Sequence, residues 1–268
     1  GLLKLSKKIK TLGIDFIADL HNVLRTKILK LFLLGYPFQA INKARSDKNK
    51  LVQGKSFQPL RSTIERYADV IRAFGLKLNL EHPKFPPPLV LSSSLKERIK
   101  INSKLLIGVA PFAAYKSKIY PLDKMKKIIN ILSKDYTVVL FGGGKNETII
   151  LDKIANQSKS IISFSGKFSM EEEIQIMSHL KLMISMDSGN AHMAAMMGVK
   201  VITLWGVTHP FAGFKPFNQP LSNCLLSDRS AFPLIPTSIY GNIYPKNYEN
   251  AIASIPESEV LKAIKNNI

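Results

Sequence analysis

The sequence predicts an α/β fold built on a parallel sheet. Three observations carry this expectation. From residue 105 onward, short apolar runs alternate with amphipathic stretches at the spacing of βαβ units. A proline-rich break, His82-Pro83-Lys84-Phe85-Pro86-Pro87-Pro88, separates that alternation from an N-terminal portion. The 268 residues are 46% hydrophobic with 15 Gly and 15 Pro, an ordinary globular composition with room for two domains.

In chain order, residues 14–20 form a short β-rich run ending near Asp19 and read as a buried strand. Residues 22–34 show helical spacing through Val23, Leu24, Ile28, Leu31 and Phe32, and stop at Gly35 before Pro37. Residues 62–74 form a second amphipathic helix closed by Gly75. Prolines lack the donor a helix or central strand needs, so residues 81–100 read as the linker. Strands then follow at 105–109, 136–141, 161–163, 182–185 and 201–204. The helices between them are 121–133, with Pro121 at its first position, 147–156, 169–180 and 191–197. Ser169 and Glu172 have capping-box spacing.

Charge is the outlying property. Lys and Arg number 38 against 19 Asp and Glu, a net charge of +19 that favours anionic partners. The basic residues are scattered, without the stripe of Lys, Arg and aromatics expected of a nucleic-acid module. Cys224 is the single cysteine, which excludes an internal disulfide and a multi-thiolate zinc site. No apolar run approaches the ~20 residues of a membrane span, and no signal peptide is visible. The expected location is cytoplasmic.

Three loops, each between a strand and a helix, carry the candidate chemistry. In Asp187-Ser188-Gly189-Asn190-Ala191-His192, a small polar turn would present free backbone N–H groups at a helix N-terminus, where a phosphate is favoured. The alternative is that Asp187 or Ser188 only caps the helix, and that His192 packs. In Phe141-Gly142-Gly143-Gly144-Lys145-Asn146-Glu147, the glycines allow close ligand approach and Glu147 could accept ribose hydroxyls, or serve as a first-turn acid. In residues 110–121, Lys118 is a candidate cation beside the same sheet edge, or a solvated surface charge.

Lys118-x-Tyr120-Pro121, Val138-Val139-Leu140-Phe141-Gly142-Gly143, Asp187-Ser188-Gly189-x-x-His192-x-Ala194-Ala195-x-x-Gly198-Val199 and Leu204-Trp205-Gly206-Val207-Thr208-x-Pro210 occur in one order and spacing. Together they resemble glycosyltransferase family 9, the heptosyltransferases of bacterial lipopolysaccharide assembly. Upstream, Ala18-Asp19-Leu20-His21-Asn22-x-x-Arg25 is similar to the family's N-terminal strand-to-helix segment, so His21, Asn22 and Arg25 become acceptor-side candidates.

The resemblance implies a GT-B architecture, two Rossmann-like domains facing across a cleft. An acceptor-side domain would occupy residues 1–90 and a nucleotide-sugar domain residues 101–255, with a helix at 256–268 packing back on the first through Val260, Leu261 and Ile264. The implied reaction is an inverting, metal-independent transfer of heptose from an ADP-activated donor to an anionic acceptor, the lipopolysaccharide inner core, at the inner membrane surface. No cofactor is expected, and no Asp-x-Asp pair is present to hold a divalent ion. Lys118, Glu147, Asp187, Ser188, Gly189, Asn190 and His192 would bind the donor, supported by Gly142, Gly143 and Thr208. Relative to the family, the chain enters near the third strand, so the first domain is expected to be incomplete and the general base to lie upstream of Gly1. No catalytic base is assigned. Two other readings are a non-catalytic nucleotide-sugar-binding protein and a basic nucleic-acid binder.

Overall fold

The computed structural model describes residues 1–99 and 105–268. The predicted start of the second domain, residue 101, lies outside the described residues. The chain runs α1 (Leu2–Lys10), β1 (Ile17–Asp19), α2 (Leu24–Phe32), β2 (Phe38–Ala40), α3 (Arg45–Val52), α4 (Thr63–Arg72) and α5 (Ser93–Ile99). It continues with β3 (Leu106–Ala110), α6 (Leu122–Asp135), β4 (Thr137–Leu140), α7 (Lys145–Ala155), β5 (Ile161–Ser163) and α8 (Met170–Met177). The last elements are β6 (Leu180–Met186), α9 (Gly189–Met196), β7 (Lys200–Trp205), β8 (Cys224–Leu226) and α10 (Glu257–Asn267).

Continuous apolar strands such as Leu106–Ala110 and Thr137–Leu140 are buried on both faces, as parallel strands under two helix layers must be. They build a six-stranded parallel sheet in the order β5-β4-β3-β6-β7-β8. On one face, Ile107, Val109, Leu182 and Ile184 pack with Ile128 and Ile129 of α6, Leu151 of α7, and Val260 and Ile264 of α10. On the other, Val139, Phe141 and Met183 pack with Leu95 of α5, Ile176 of α8, and Ala191 and Ala194 of α9. Strand order reverses between β3 and β6, the crevice where open α/β sheets bind ligands.

The N-terminal part pairs β1 and β2 in parallel, Ile17 opposite Phe38, with α4 packed against both. Ser62 caps α4 by accepting from the Glu65 N–H, and the Ser169–Glu172 capping box forms at α8. The loop after β7 is tied to the segment before α4. Leu60 N donates to Phe211 O at 2.9 Å and Thr63 N to Gly213 O at 2.8 Å. Gly213 has φ +84°, and a side chain there would meet Arg61 O at 2.7 Å, so only glycine fits this crossing.

Two expectations are corrected. Residues 93–99 are not linker but α5, because Leu95 and Ile99 find cover on the C-terminal sheet. The terminal helix does not pack back on the N-terminal part. Its apolar stripe is buried against α6 and β7, where Val260 and Ile264 join the core of the C-terminal sheet. Among the described residues, no helix is long and apolar enough to cross a membrane.

Candidate functional site

The loops following β4, β3, β6 and β7, four neighbouring strands, emerge at one edge of the sheet. Lys118 follows β3 and Asp187 follows β6, so they flank the point where strand order reverses. Their side chains form an ion pair, Nζ to Oδ2 at 2.9 Å, each only 11% exposed. The Thr208 hydroxyl, delivered by the loop after β7, donates to the same Oδ2 at 2.9 Å. Among the described residues, nothing bonds the other oxygen of Asp187.

Asp187 and Ser188 do not cap α9. Ser188 occupies the N-cap position, yet its hydroxyl meets Ser185 Oγ at 3.1 Å and makes no cap bond. The first-turn N–H groups of α9 therefore have no side-chain partner, which suits an anion. A side chain at Gly189 would meet nothing within 4 Å, so the space in front of the helix is open.

Lys118, Asp187, Ser188, Gly189 and His192 line one cavity of about 270 Å³ together with Ala114, and Phe214, Ile239 and Tyr240 complete its wall. Burial holds the His192 imidazole below its usual range; Asp187 opposes that shift and Lys118 adds to it. The ring is thus neutral near pH 7 and carries one donor and one acceptor.

Glu147 does not line this cavity. Its carboxylate accepts from Gly143 N at 2.8 Å and shapes the turn after β4. Gly142 lies beneath it, where an added Cβ would meet Leu151 at 2.7 Å. Asn190 sits in the first turn of α9 outside the lining.

The acceptor-side candidates divide. His21 lines a second cavity of about 480 Å³ that shares Phe214, Ile239 and Tyr240 with the first. Asn22 holds a left-handed turn at φ 41° and donates through Nδ2 to Ile41 O at 2.8 Å, a structural role. Arg25 is exposed on α2, away from the lining. Sequence reasoning missed Phe214 and Tyr240, which stand in an irregular stretch without periodicity. Lys43, Arg45, Lys48 and Arg66, which line the second cavity, were read only as scattered basic residues.

The family model for glycosyltransferase family 9 (heptosyltransferase) matches residues 2–235. Lipooligosaccharide heptosyltransferase 2 of Campylobacter jejuni serotype O:2 is 23% identical over 226 residues, covering 82% of this chain and 66% of that protein. Lipopolysaccharide heptosyltransferase 3 of Escherichia coli K12 is 33% identical over 118 residues, 42% of this chain and 34% of its own. The chain thus spans less than two thirds of the length of these relatives. Among solved structures, a family 9 glycosyl transferase from Veillonella parvula superposes with a TM-score of 0.69 at 17% identity, covering 99% of this chain and 77% of that one. The E. coli heptosyltransferase WaaC with ADP gives 0.66 at 14% identity, covering 100% and 77%. The fold is therefore that of the GT-B heptosyltransferases. With its family model matched over most of its length, the chain belongs to glycosyltransferase family 9, the heptosyltransferases.

Proposed function

We propose that the cavity between β3 and β6 binds an ADP-heptose donor, and that the protein transfers its heptose to the lipopolysaccharide inner core with inversion and without a metal ion. The observation that carries this reading is the Lys118–Asp187 pair beside the uncapped N-terminus of α9. Solved relatives from E. coli hold ADP and ADP-2-deoxy-2-fluoro heptose, which supports a donor of this class.

In this reading the donor diphosphate lies against the α9 N–H groups and draws the Lys118 ammonium toward itself. Both stabilise charge that grows as the bond between the sugar carbon and the phosphate oxygen breaks. Asp187, an anion, is unsuited to phosphate and accepts from sugar hydroxyls instead, held by Thr208. Neutral His192 offers an N–H to the same region. The acceptor hydroxyl oxygen forms the new bond and its proton passes to a base, to which no described residue is assigned. ADP leaves. Glu147, on the neighbouring turn, is the proposed ribose contact, with Asn190 and the Gly142-Gly143 turn as support. The proposed workplace is the cytoplasmic side of the inner membrane, where such an acceptor is presented.

Calorimetric titration with ADP and ADP-heptose tests the donor site. Both should bind, and Asp187→Ala should weaken ADP-heptose by about 1–3 kcal/mol more than ADP, the cost of an unpaired buried group. Absence of ADP binding at millimolar concentration, with the protein folded, would overturn the proposal.

A further inference from the structure

Lys118 reaches the first cavity from a single short helical turn, Lys116–Lys118, in which Lys118 N donates to Tyr115 O at 3.0 Å. A lysine stem is long and freely rotating, so fixing its ammonium costs entropy unless neighbouring atoms confine the stem. Here the confinement comes from a distant segment. Ser117 is fully buried, and its hydroxyl donates to Gly241 O at 2.5 Å. Gly241 stands at φ +87°, and a Cβ there would meet Lys118 Cδ at 2.6 Å and Cγ at 2.8 Å. The stem of Lys118 therefore lies directly on the Gly241 backbone. A second glycine makes room for the same turn: a Cβ on Gly206, just after β7, would run into the Ser117 carbonyl oxygen.

The segment that carries Gly241 is itself fixed. Thr237 N donates to Val207 O at 3.0 Å, and the Thr237 hydroxyl donates to Ile243 O at 2.8 Å. The buried Ser238 hydroxyl oxygen accepts from Gly241 N at 3.1 Å and from Ile243 N at 3.4 Å. Between these anchors, Ile239 and Tyr240 enter the wall of the first cavity. Neither Ser117 nor Gly241 lines that cavity. Whatever they contribute to the site passes through Lys118 or through the wall.

We infer that Ser117 and Gly241 are positioning residues for Lys118: together they hold its stem so that the ammonium stands beside Asp187 and within reach of the donor diphosphate. The inference rests on the proposed donor site for the diphosphate. The placement of Lys118 against Asp187 is independent of it. An alanine at position 241 would push the stem aside, because the atoms it meets belong to a flexible side chain and yield before backbone does.

In calorimetric titration of the full chain with ADP, Gly241→Ala should lose about tenfold of the affinity, the worth of one charge-assisted hydrogen bond. Lys118→Met keeps most of the stem without the charge and should lose a similar factor. The double variant should bind no more weakly than Lys118→Met alone, since a displaced stem then has no charge to misplace. Losses that multiply to about a hundredfold would show that Gly241 serves the site without Lys118 and would overturn the inference. Full ADP affinity in folded Gly241→Ala would overturn it as well. If Gly241→Ala does not fold, Ser117→Ala, which makes no demand on φ, takes its place with an expected loss of about threefold. A ligand-free measurement separates the two proposals. The coupling between Lys118→Met and Asp187→Asn in urea unfolding should fall by about half when Gly241→Ala or Ser117→Ala is also present. Unchanged coupling would overturn the inference, and reduced coupling in a protein that binds no ADP would remove the donor reading alone.

Discussion

Asp187 and Lys118 hold each other in a site where neither is well solvated, which makes the pair asymmetric under mutation. Removing one partner strands the other charge, while removing both leaves two neutral groups. Lys118→Met should lower stability by about 3 kcal/mol in urea unfolding, and adding Asp187→Asn should restore most of that loss. Additive losses would show that the pair contributes no coupling. The Asn side chain keeps an acceptor for Thr208, so the double variant does not leave that hydroxyl without a partner.

At the scale of elements, α10 and the turn after β7 give separable tests. Ile264 is 3% exposed within the core shared with α6 and the sheet, so Ile264→Ala should cost about 2–4 kcal/mol. A loss under half a kcal/mol would place the helix elsewhere. His209, 2% exposed, accepts from Phe211 N through Nδ1, and burial, with Arg229 adding to it, pushes its imidazole down to about 4. The unfolded chain takes up that proton near pH 6.5, the folded one only near 4. This contribution is therefore complete above pH 6.5 and is lost as pH falls toward 4. The stability advantage of wild type over His209→Gln should shrink by roughly 3 kcal/mol across that window. An unchanged difference would mean that His209 is not held neutral.

These elements also show what a sequence can reveal. Five of the six strands of the C-terminal sheet and the helices between them were legible to within a few residues, because parallel strands buried on both faces produce continuous apolar runs, whereas the three-residue edge strand β8 was not predicted. In α10 the stripe of Val260 and Ile264 was legible, but periodicity identifies a buried face and not the surface that covers it. Missing from the prediction were α3, whose eight residues Arg45–Val52 carry little apolar patterning, and the three-residue strand β2. The Asp187-Ser188-Gly189 turn was found because strand–turn–helix chemistry is local. The wall of Phe214 and Tyr240 and the four cations across it come from separate segments, and only the fold brings them together.

For the whole molecule, the arrangement is two neighbouring cavities with a common aromatic wall. One centres on an ion pair and a helix N-terminus, and the other on unpaired cations. Four of the chain's 38 Lys and Arg residues, Lys43, Arg45, Lys48 and Arg66, line the second cavity. The backbone bonds from Leu60 to Phe211 and from Thr63 to Gly213 hold the two sides together. Everything proposed for transfer depends on the first cavity cradling a diphosphate. Gly189→Val tests this most directly, because its added Cβ meets no protein atom and should cost less than about 1 kcal/mol of stability. In calorimetric titration with ADP, wild type should bind and the equally folded variant should bind at least tenfold more weakly. Equal affinity for ADP in the two proteins would contradict a diphosphate site at the start of α9.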